Sequence, residues 1–195
     1  MIPHSNNLLD NFIAGWYTTD TAVCDSILNY FNTSKNKHVG YTGQYVIDKT
    51  IKDSIDCKIE DNTILTEYFF KILNPCIEQY KIKYPYCDHY NPWSLVDSVN
   101  IQQYLPNGGY YQWHTERTSN AQPFSSRHLV FMTYLNSVTD QGETEFFHQK
   151  IKIKPEKGLT IIWPADWTFT HRGISSPTEE KFIVTGWLNF ISKIT

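Results

Sequence analysis

The chain has 195 residues, of which 41% are apolar and 15% aromatic; this suffices for one folded domain with a substantial core and excludes a disordered chain. The formal net charge of -3 comes without a long Lys/Arg run, so no nucleic-acid partner is expected. No apolar run approaches the roughly 20 residues that span a bilayer, and the N-terminus lacks the pattern of a signal peptide.

We therefore expect a soluble, cytoplasmic protein without a membrane partner. The frequent Asn, Lys, Ile and Tyr favour an AT-rich genome, such as that of a bacterium or a phage. Four cysteines are scattered without a C-x-x-C pair, which predicts free thiols rather than a zinc knuckle or a disulfide framework. The sequence predicts no oligomeric state.

The first half of the chain is predicted to be mainly helical. Apolar residues recur at intervals of three and four in two segments. The predicted helices run from a cap at Thr19 or Asp20 through Phe31, and from Asn62 to about Lys83 with a kink or restart at Pro75. The flanking segments are a short strand and turn over 8–16, a strand over 41–48 and a loop with some extended character over 51–61.

From Tyr84 an aromatic loop leads into a half made of short strands. The predicted strands cover residues 95–104, 110–116, 127–135, 143–149, 150–154, 159–163, 167–172 and 181–191. About eight short strands separated by turns favour an antiparallel jelly roll with helices packed outside. We predict one domain over 1–195, with helical support over 1–90 and a jelly-roll core over about 91–195.

The stretch YLPNGGYYQWHTE, which ends at Glu116, contains the first candidate site. It has the pattern of a hairpin in which Asn107 and Gly108 supply positive φ angles. Alternation along its second strand puts His114 and Glu116 on one side. A second imidazole, His171, follows the buried strand LTIIW. Two histidines and one carboxylate on one face suit a non-heme Fe(II) oxygenase.

The His-x-carboxylate pair alone is not specific. Seven His and 20 Asp plus Glu in 195 residues give about 0.7 such tripeptides by chance. In the structural alternative, His114 is a hydrogen-bonded core residue, Glu116 a solvated strand end and His171 a turn residue. Whether the pair belongs to a metal site or has only a structural role therefore depends on the sequence motifs around it.

Several such segments follow in a fixed order. They are Tyr104; Gly108, Tyr111, His114 and Glu116 for "G-x-x-Y-x-x-H-x-D"; Arg127 before Tyr134; QGETEFF for "G-G-x-T-x-F"; KPEKGLTIIW for "P-x-x-G-x-x-x-x-F"; and HRG, Lys181 and FIVTGW. With these motifs, the segment from about Ile101 to Phe190 resembles the 2-oxoglutarate and Fe(II)-dependent dioxygenases of the prolyl 4-hydroxylase type. It departs from the family pattern at Gln141, where the family has Gly, and at Glu116, where it mostly has Asp.

The resemblance implies a double-stranded β-helix, which is a jelly roll, that uses Fe(II), 2-oxoglutarate and O2. It implies hydroxylation of a C–H bond with release of succinate and CO2. The first candidate substrate is a peptidyl proline in a protein or peptide; a free amino acid, a nucleobase or another small molecule stays open. The implied metal ligands are His114, Glu116 and His171.

A dicarboxylate cosubstrate needs a cation and hydroxyl donors at the far end of its pocket. Lys181 is the expected cation, and the expected hydroxyl donors are Tyr104, Tyr134 and Thr185. The alternatives are a solvated surface lysine and tyrosines that only pack in the core. The polar loop from Arg117 to Ser126 is either a mobile lid over the metal or a solvated connector.

Two other classes of protein remain open. A zinc hydrolase can use two histidines and one glutamate, but the chain has no H-E-x-x-H helix and such an enzyme would leave Lys181 without a role. A non-catalytic jelly-roll binding module would need no metal.

Overall fold

The computed structural model describes residues 1–42 and 46–191. Its α-helices among these residues are α1 (Ala22–Thr33), α2 (Asn62–Tyr68) and α3 (Asn74–Lys83). A π-helical segment, Phe69–Leu73, joins α2 to α3. The predicted interruption of the long helix next to Pro75 is thereby confirmed, because the ring of a proline disrupts regular hydrogen bonding in the turn that precedes it.

The strands are short, and most of them lie in the second half of the chain. In chain order, the described residues form β1 (Ile2–Pro3), β2 (Ala14–Tyr17), β3 (His38–Val39), β4 (Lys52–Asp53), β5 (Ile55–Lys58), β6 (Trp93–Ser94), β7 (Asn100–Tyr104), β8 (Gly109–Tyr110), β9 (Arg127–Tyr134), β10 (Thr144–Phe146), β11 (Ile151–Ile153), β12 (Leu159–Pro164), β13 (His171–Gly173) and β14 (Lys181–Phe190).

These strands form antiparallel sheets. The large sheet has the order β1-β2-β12-β9-β14-β7-β5-β3, with β6 paired to β14. A smaller sheet has the order β11-β10-β13, and β4 pairs with β8. A single bridge between His114 and His171 connects β13 to the segment that follows β8. The predicted architecture, a mainly β jelly roll with N-terminal helices, is confirmed.

Alternate residues of the central strand β14 face two different cores. Phe182, Val184 and Leu188 pack with residues of the helices on one side of the large sheet. Ile183 and Trp187 belong to the other core, which lies between the sheets. Because successive side chains of a strand point to opposite faces, β14 anchors the helices with one face and contributes to the inter-sheet space with the other.

The predicted hairpin before His114 is wrong. The strands on either side of the turn do not pair with each other: β7 pairs with β5 and β14, whereas β8 pairs with β4. Asn107 has the expected positive φ of 68°, but Gly108 does not. A Cβ at Gly108 would lie 2.9 Å from the carbonyl oxygens of Asp53 and Leu105, so close approach of the backbone is what requires glycine there.

Two N-terminal predictions also need correction. The segment predicted as a loop over 51–61 contains β4 and β5, and β5 extends the large sheet next to β7. A strand was predicted over 41–48, but residues 41–42 and 46–48 form none, and residues 43–45 lie outside the described part of the chain. The neighbouring strand is β3. The large sheet thus includes four strands from before residue 60, namely β1, β2, β3 and β5, and the division at about residue 91 stays a prediction.

Two expectations based on composition can be compared with the structure. All four cysteines are free thiols, as predicted. Within the described ranges, no helix combines the length and the apolar character that crossing a bilayer requires.

A buried ion pair explains why the charged segment around β4 forms strands. Lys52 and Asp56 are 3% and 5% exposed, and Lys52 Nζ lies 2.6 Å from Asp56 Oδ2. The hydroxyl of Ser54 donates to Asp56 Oδ1 at 2.7 Å. Because the charges neutralise each other, β4 can lie against β8, where Lys52 pairs with Tyr110.

We expect Lys52→Met to lower the free energy of unfolding by about 3–5 kcal/mol, because the Asp56 carboxylate would stay buried without its partner. The double variant Lys52→Met/Asp56→Leu should lose less than the single variant. Urea unfolding measures both. Lys49→Met is the matched control, since its ion pair with Asp53 is largely exposed and should contribute at most about 1 kcal/mol. Equal losses for Lys49→Met and Lys52→Met would contradict the prediction.

Candidate metal centre

Three predicted site residues come together at the junction between β13 and the segment after β8. His114 and His171 exchange backbone hydrogen bonds of 3.0 and 2.9 Å. The Oε1 atom of Glu116 lies 3.7 Å from His114 Nε2 and 3.6 Å from His171 Nε2. Ligand atoms that share one metal at about 2.0–2.2 Å lie roughly 3–4 Å apart. This cluster can therefore hold a metal ion.

Backbone carbonyls fix the orientation of both imidazoles. His114 Nδ1 lies 3.0 Å from the carbonyl oxygen of Gln112, and His171 Nδ1 lies 2.9 Å from that of Phe169. A carbonyl oxygen only accepts, so each Nδ1–H donates and each Nε2 presents its lone pair. An imidazole oriented in this way by its second nitrogen is the usual arrangement of a metal-binding histidine.

Burial keeps both imidazoles neutral. It lowers the pKa of His114, with a further contribution from His171, to about 3. Burial also lowers the pKa of His171. The short distances to Glu116 are therefore not ion pairs, and the neutral rings have the protonation state that binding a metal requires.

The carboxylate of Glu116 has different partners for its two oxygens. Oε1 faces the histidines, whereas Oε2 accepts from Trp187 Nε1 at 2.9 Å and lies 3.2 Å from Arg127 Nη1. Burial alone would raise the pKa of this carboxyl, but the charge of Arg127 and the hydrogen bond from Trp187 help to lower it below its usual value. Glu116 is thus an anion at neutral pH.

The predicted strand over 110–116 is much shorter than expected. β8 ends at Tyr110, and of the next six residues only His114 pairs, through its bridge to His171. The ligand cluster therefore depends on one bridge instead of a regular ladder. His114 and Glu116 lie on the same side, as alternation along a strand predicts, although this segment does not have the regular pairing of a strand.

Lys181 is buried and not a solvated surface residue. It is 4% exposed, and its Nζ donates to the carbonyl oxygens of Gly142 and Ile174 at 2.8 and 3.4 Å. The ammonium lies 5.2 Å from the centre of the Tyr104 ring. Burial lowers the pKa of Lys181 to about 8, against the opposing effect of Glu143. The cation is therefore still mainly protonated at neutral pH.

The other three predicted residues have hydroxyls that bind within the protein. Tyr104 donates to Gln102 Oε1 at 2.7 Å, and Tyr134 donates to Thr144 Oγ1 at 2.7 Å. Thr185 donates to the carbonyl oxygen of Phe131 at 3.0 Å. Both tyrosines belong to the core between the sheets. The predicted Arg117–Ser126 loop ends in a short 3-10 turn, Phe124–Ser126, which packs against Arg127.

Sequence reasoning assigned no role to Tyr110, whose ring stacks on that of His114. The two ring centres are 3.7 Å apart with an angle of 10° between the planes. On the other histidine, His171, the rings of Trp163 and Phe146 pack at 5.1 and 5.6 Å. Aromatic side chains thus enclose both imidazoles. Tyr110 reaches the His114 ring because the backbone between the two residues is irregular, and a periodic sequence pattern does not indicate such a backbone.

Comparison with known proteins now identifies the class. A family model described as the 2OG-Fe(II) oxygenase superfamily matches residues 99–189. Residues 99–189 resemble a 2OG-Fe(II) oxygenase domain. No curated protein matches the sequence. The match includes every predicted ligand and cosubstrate residue of this oxygenase, but it excludes β4 and β5.

Solved structures of prolyl hydroxylases share the fold of the oxygenase. A viral collagen prolyl hydroxylase from Paramecium Bursaria Chlorella virus-1, solved with 2OG, has 18% identity and a TM-score of 0.67 over 93% of this chain and 98% of that chain. A Pseudomonas putida prolyl-4-hydroxylase has 13% identity and a TM-score of 0.67, covering 94% and 96%. A Trichoplax adhaerens prolyl hydroxylase, in complex with a peptide fragment of the hypoxia inducible factor oxygen degradation domain, has 15% identity and a TM-score of 0.74, covering 95% and 86%.

Residues 99–189 are thus similar to the 2OG-Fe(II) oxygenase superfamily, and the chain shares its fold with solved prolyl hydroxylases. Oxygenases of this superfamily use Fe(II), 2-oxoglutarate and O2, and two imidazoles with one carboxylate suit this metal. The family match thus favours an oxygenase over the zinc hydrolase and the non-catalytic binding module.

The neutral histidines predict a pH dependence of stability in the metal-free protein. Between about pH 6.5 and 4.5 the unfolded chain protonates its histidines, while His114, with a folded pKa of about 3, stays neutral. The unfolded state then binds more protons, so the free energy of unfolding falls as the pH falls. His114→Gln should flatten this decline in urea unfolding with EDTA. The exposed His89→Gln is the control, and an unchanged slope in His114→Gln would contradict the argument.

Proposed function

We propose that His114, Glu116 and His171 bind Fe(II) and that Lys181 binds the distal carboxylate of 2-oxoglutarate. The enzyme then hydroxylates a C–H bond, with a peptidyl proline as the first candidate, and releases succinate and CO2. One observation carries the proposal: two Nε2 lone pairs and the Oε1 of an ionised carboxylate converge at 3.6–3.7 Å. No simple packing role needs both imidazoles oriented by carbonyls in this way.

The donor set fits Fe(II). Two nitrogens and one oxygen bind from one side and leave the remaining coordination positions for other ligands. When bound, Fe(II) with 2-oxoglutarate supplies the oxidative chemistry by which O2 hydroxylates a C–H bond. The protein's own part is to orient the three ligands, to hold the cosubstrate and to exclude water from the space between the sheets.

The inter-sheet core also fits a dicarboxylate. Lys181 supplies a buried cation, and Tyr134 supplies a hydroxyl on the neighbouring strand β9. Trp163 Nε1, beside His171, is buried and has no hydrogen-bond acceptor among the described residues. An unpartnered buried donor costs about 1–3 kcal/mol, and a carboxylate oxygen would offer it an acceptor. We assign Tyr104, Tyr134 and Thr185 as further contacts of the cosubstrate.

A peptide is the substrate class that we favour. The similar structures are prolyl hydroxylases, and one of them was solved with a peptide. Exposed aromatic side chains beside β10 and β13 also support a partner larger than a single amino acid: Phe147 is 45% and Trp167 67% exposed. A free amino acid, a nucleobase or another small molecule is the alternative, and a substrate panel distinguishes them.

The first experiment measures succinate from 2-oxoglutarate with Fe(II), with and without proline-containing peptides. We expect peptide-dependent succinate formation that His171→Ala abolishes, because the metal loses one of its three protein ligands. His89→Ala, which changes an exposed histidine, should retain it. Turnover by His171→Ala at the wild-type rate would refute the proposed ligands. A panel in which only small molecules stimulate turnover would refute the peptide.

The second experiment tests the cosubstrate site. Lys181→Ala should weaken 2-oxoglutarate binding by about a hundredfold or more, because the distal carboxylate loses its counter-charge in a buried site. Metal affinity should stay the same. The measurement is an anaerobic titration of 2-oxoglutarate into Fe(II) protein, followed by charge-transfer absorbance. Lys152→Ala is the matched control, since Lys152 is largely exposed; equal affinity in Lys181→Ala and wild type would reduce Lys181 to a structural residue.

A further inference from the structure

Glu116 stands where the related motif mostly has Asp, and the structure offers a physical reason for the longer side chain. Its two carboxylate oxygens are 3.6–3.7 Å from the histidine nitrogens on one side and 2.9–3.2 Å from two donors on the other. The side chain therefore bridges two groups of partners, and its length decides whether it can reach both.

The donors on the far side are Trp187 and Arg127. Arg127 Nη1 also donates to the backbone carbonyl oxygen of Glu116 at 2.9 Å, so one guanidinium fixes both the main chain and the side chain of this residue. The guanidinium lies 3.6 Å from the centre of the Trp187 ring and 4.7 Å from that of Phe124. Arg127 is 8% exposed, and a stacked, desolvated guanidinium makes strong hydrogen bonds to carboxylates.

A β-bulge explains why Arg127 faces the site. Along the ladder of β9 and β14, Trp187 pairs with Val130 and Leu188 with Leu129, but Asn189 pairs with Arg127. His128 is skipped. In regular register it would lie opposite Asn189, and Arg127 would point to the other face of the sheet.

We propose that Arg127 and Trp187 are positioning residues that hold Glu116 Oε2, so that Oε1 alone binds the metal, and that they make this enzyme select Glu over Asp as its carboxylate ligand. The inference rests on the proposed function. An Asp side chain is shorter by one C–C bond of about 1.5 Å. Its carboxylate would lose either the Trp187 and Arg127 hydrogen bonds or its place between the two histidines.

A double-mutant cycle tests the selection through metal affinity, without turnover. Co2+ is titrated into the metal-free protein, and its ligand-field absorbance is followed for wild type, Glu116→Asp, Trp187→Phe and the double variant. We expect Glu116→Asp to weaken Co2+ binding about tenfold or more, as is typical when groups around a metal ligand are lost. In the Trp187→Phe background the same substitution should cost about threefold or less, because one of the two donors that penalise the shorter side chain is gone.

Trp113→Phe is the matched control. Trp113 is adjacent to His114 but packs on Phe147 and Arg172, so its effect should be additive with that of Glu116→Asp. Urea unfolding of each variant checks the fold. If Trp187→Phe is unfolded, Arg127→Lys replaces it in the cycle, because lysine keeps the charge without the guanidinium plane that lies on Trp187.

The outcomes separate this inference from the proposed metal site. The proposed selection of Glu over Asp by Arg127 and Trp187 is overturned by either of two results. One is that Glu116→Asp binds Co2+ as tightly as wild type; the other is that this substitution lowers Co2+ affinity by the same factor in both backgrounds. His171→Ala is measured in parallel. If it binds Co2+ as tightly as wild type, the metal site itself is overturned; if it loses Co2+ while the cycle is additive, only the inference falls.

Discussion

The reciprocal pair of backbone hydrogen bonds between His114 and His171 is the constraint on which the site depends. It is a single bridge between a short strand, β13, and an irregular segment, yet it brings two imidazoles from distant parts of the chain to a ring separation of 4.3 Å. A backbone bridge fixes the Cα positions and leaves the side chains to be oriented by Gln112 and Phe169. The main chain thus sets the spacing of the ligands, and the local carbonyls set their direction.

The chain outside the family match contributes to this arrangement. β4 pairs with β8, and the buried Lys52–Asp56 pair lets this charged segment pack against that strand. The Lys52 ammonium lies 5.9 Å from the Tyr110 ring, which stacks on His114. A line of contacts therefore runs from an N-terminal ion pair to an imidazole of the oxygenase domain. The segment before residue 99 is part of the environment of the candidate metal centre.

The sequence predicted the jelly roll, the metal-site candidates and the buried cation because these depend on local order and spacing along the chain. It failed where tertiary contacts override the local pattern. β5 was predicted as a loop because its charged neighbours hide the alternation, and their mutual neutralisation is visible only in space. The hairpin was wrong because the turn at Asn107 connects strands with separate partners. Arg127 received no role in the site because only the β-bulge at His128, which the sequence does not reveal, turns it toward Glu116.

The skipped residue in β9, His128, adds to the length of the strand but does not have to be present for Arg127 to lie opposite Asn189. His128 is accommodated outside the ladder, where its Nε2 lies 2.8 Å from the carbonyl oxygen of Cys87 and its ring packs on Phe190. Deleting His128 would place Arg127 next to Leu129, and regular pairing opposite Asn189 would keep its guanidinium on the side of Glu116. The strand could thus lose this residue through the deletion of one codon while the side chain opposite Asn189 keeps its place.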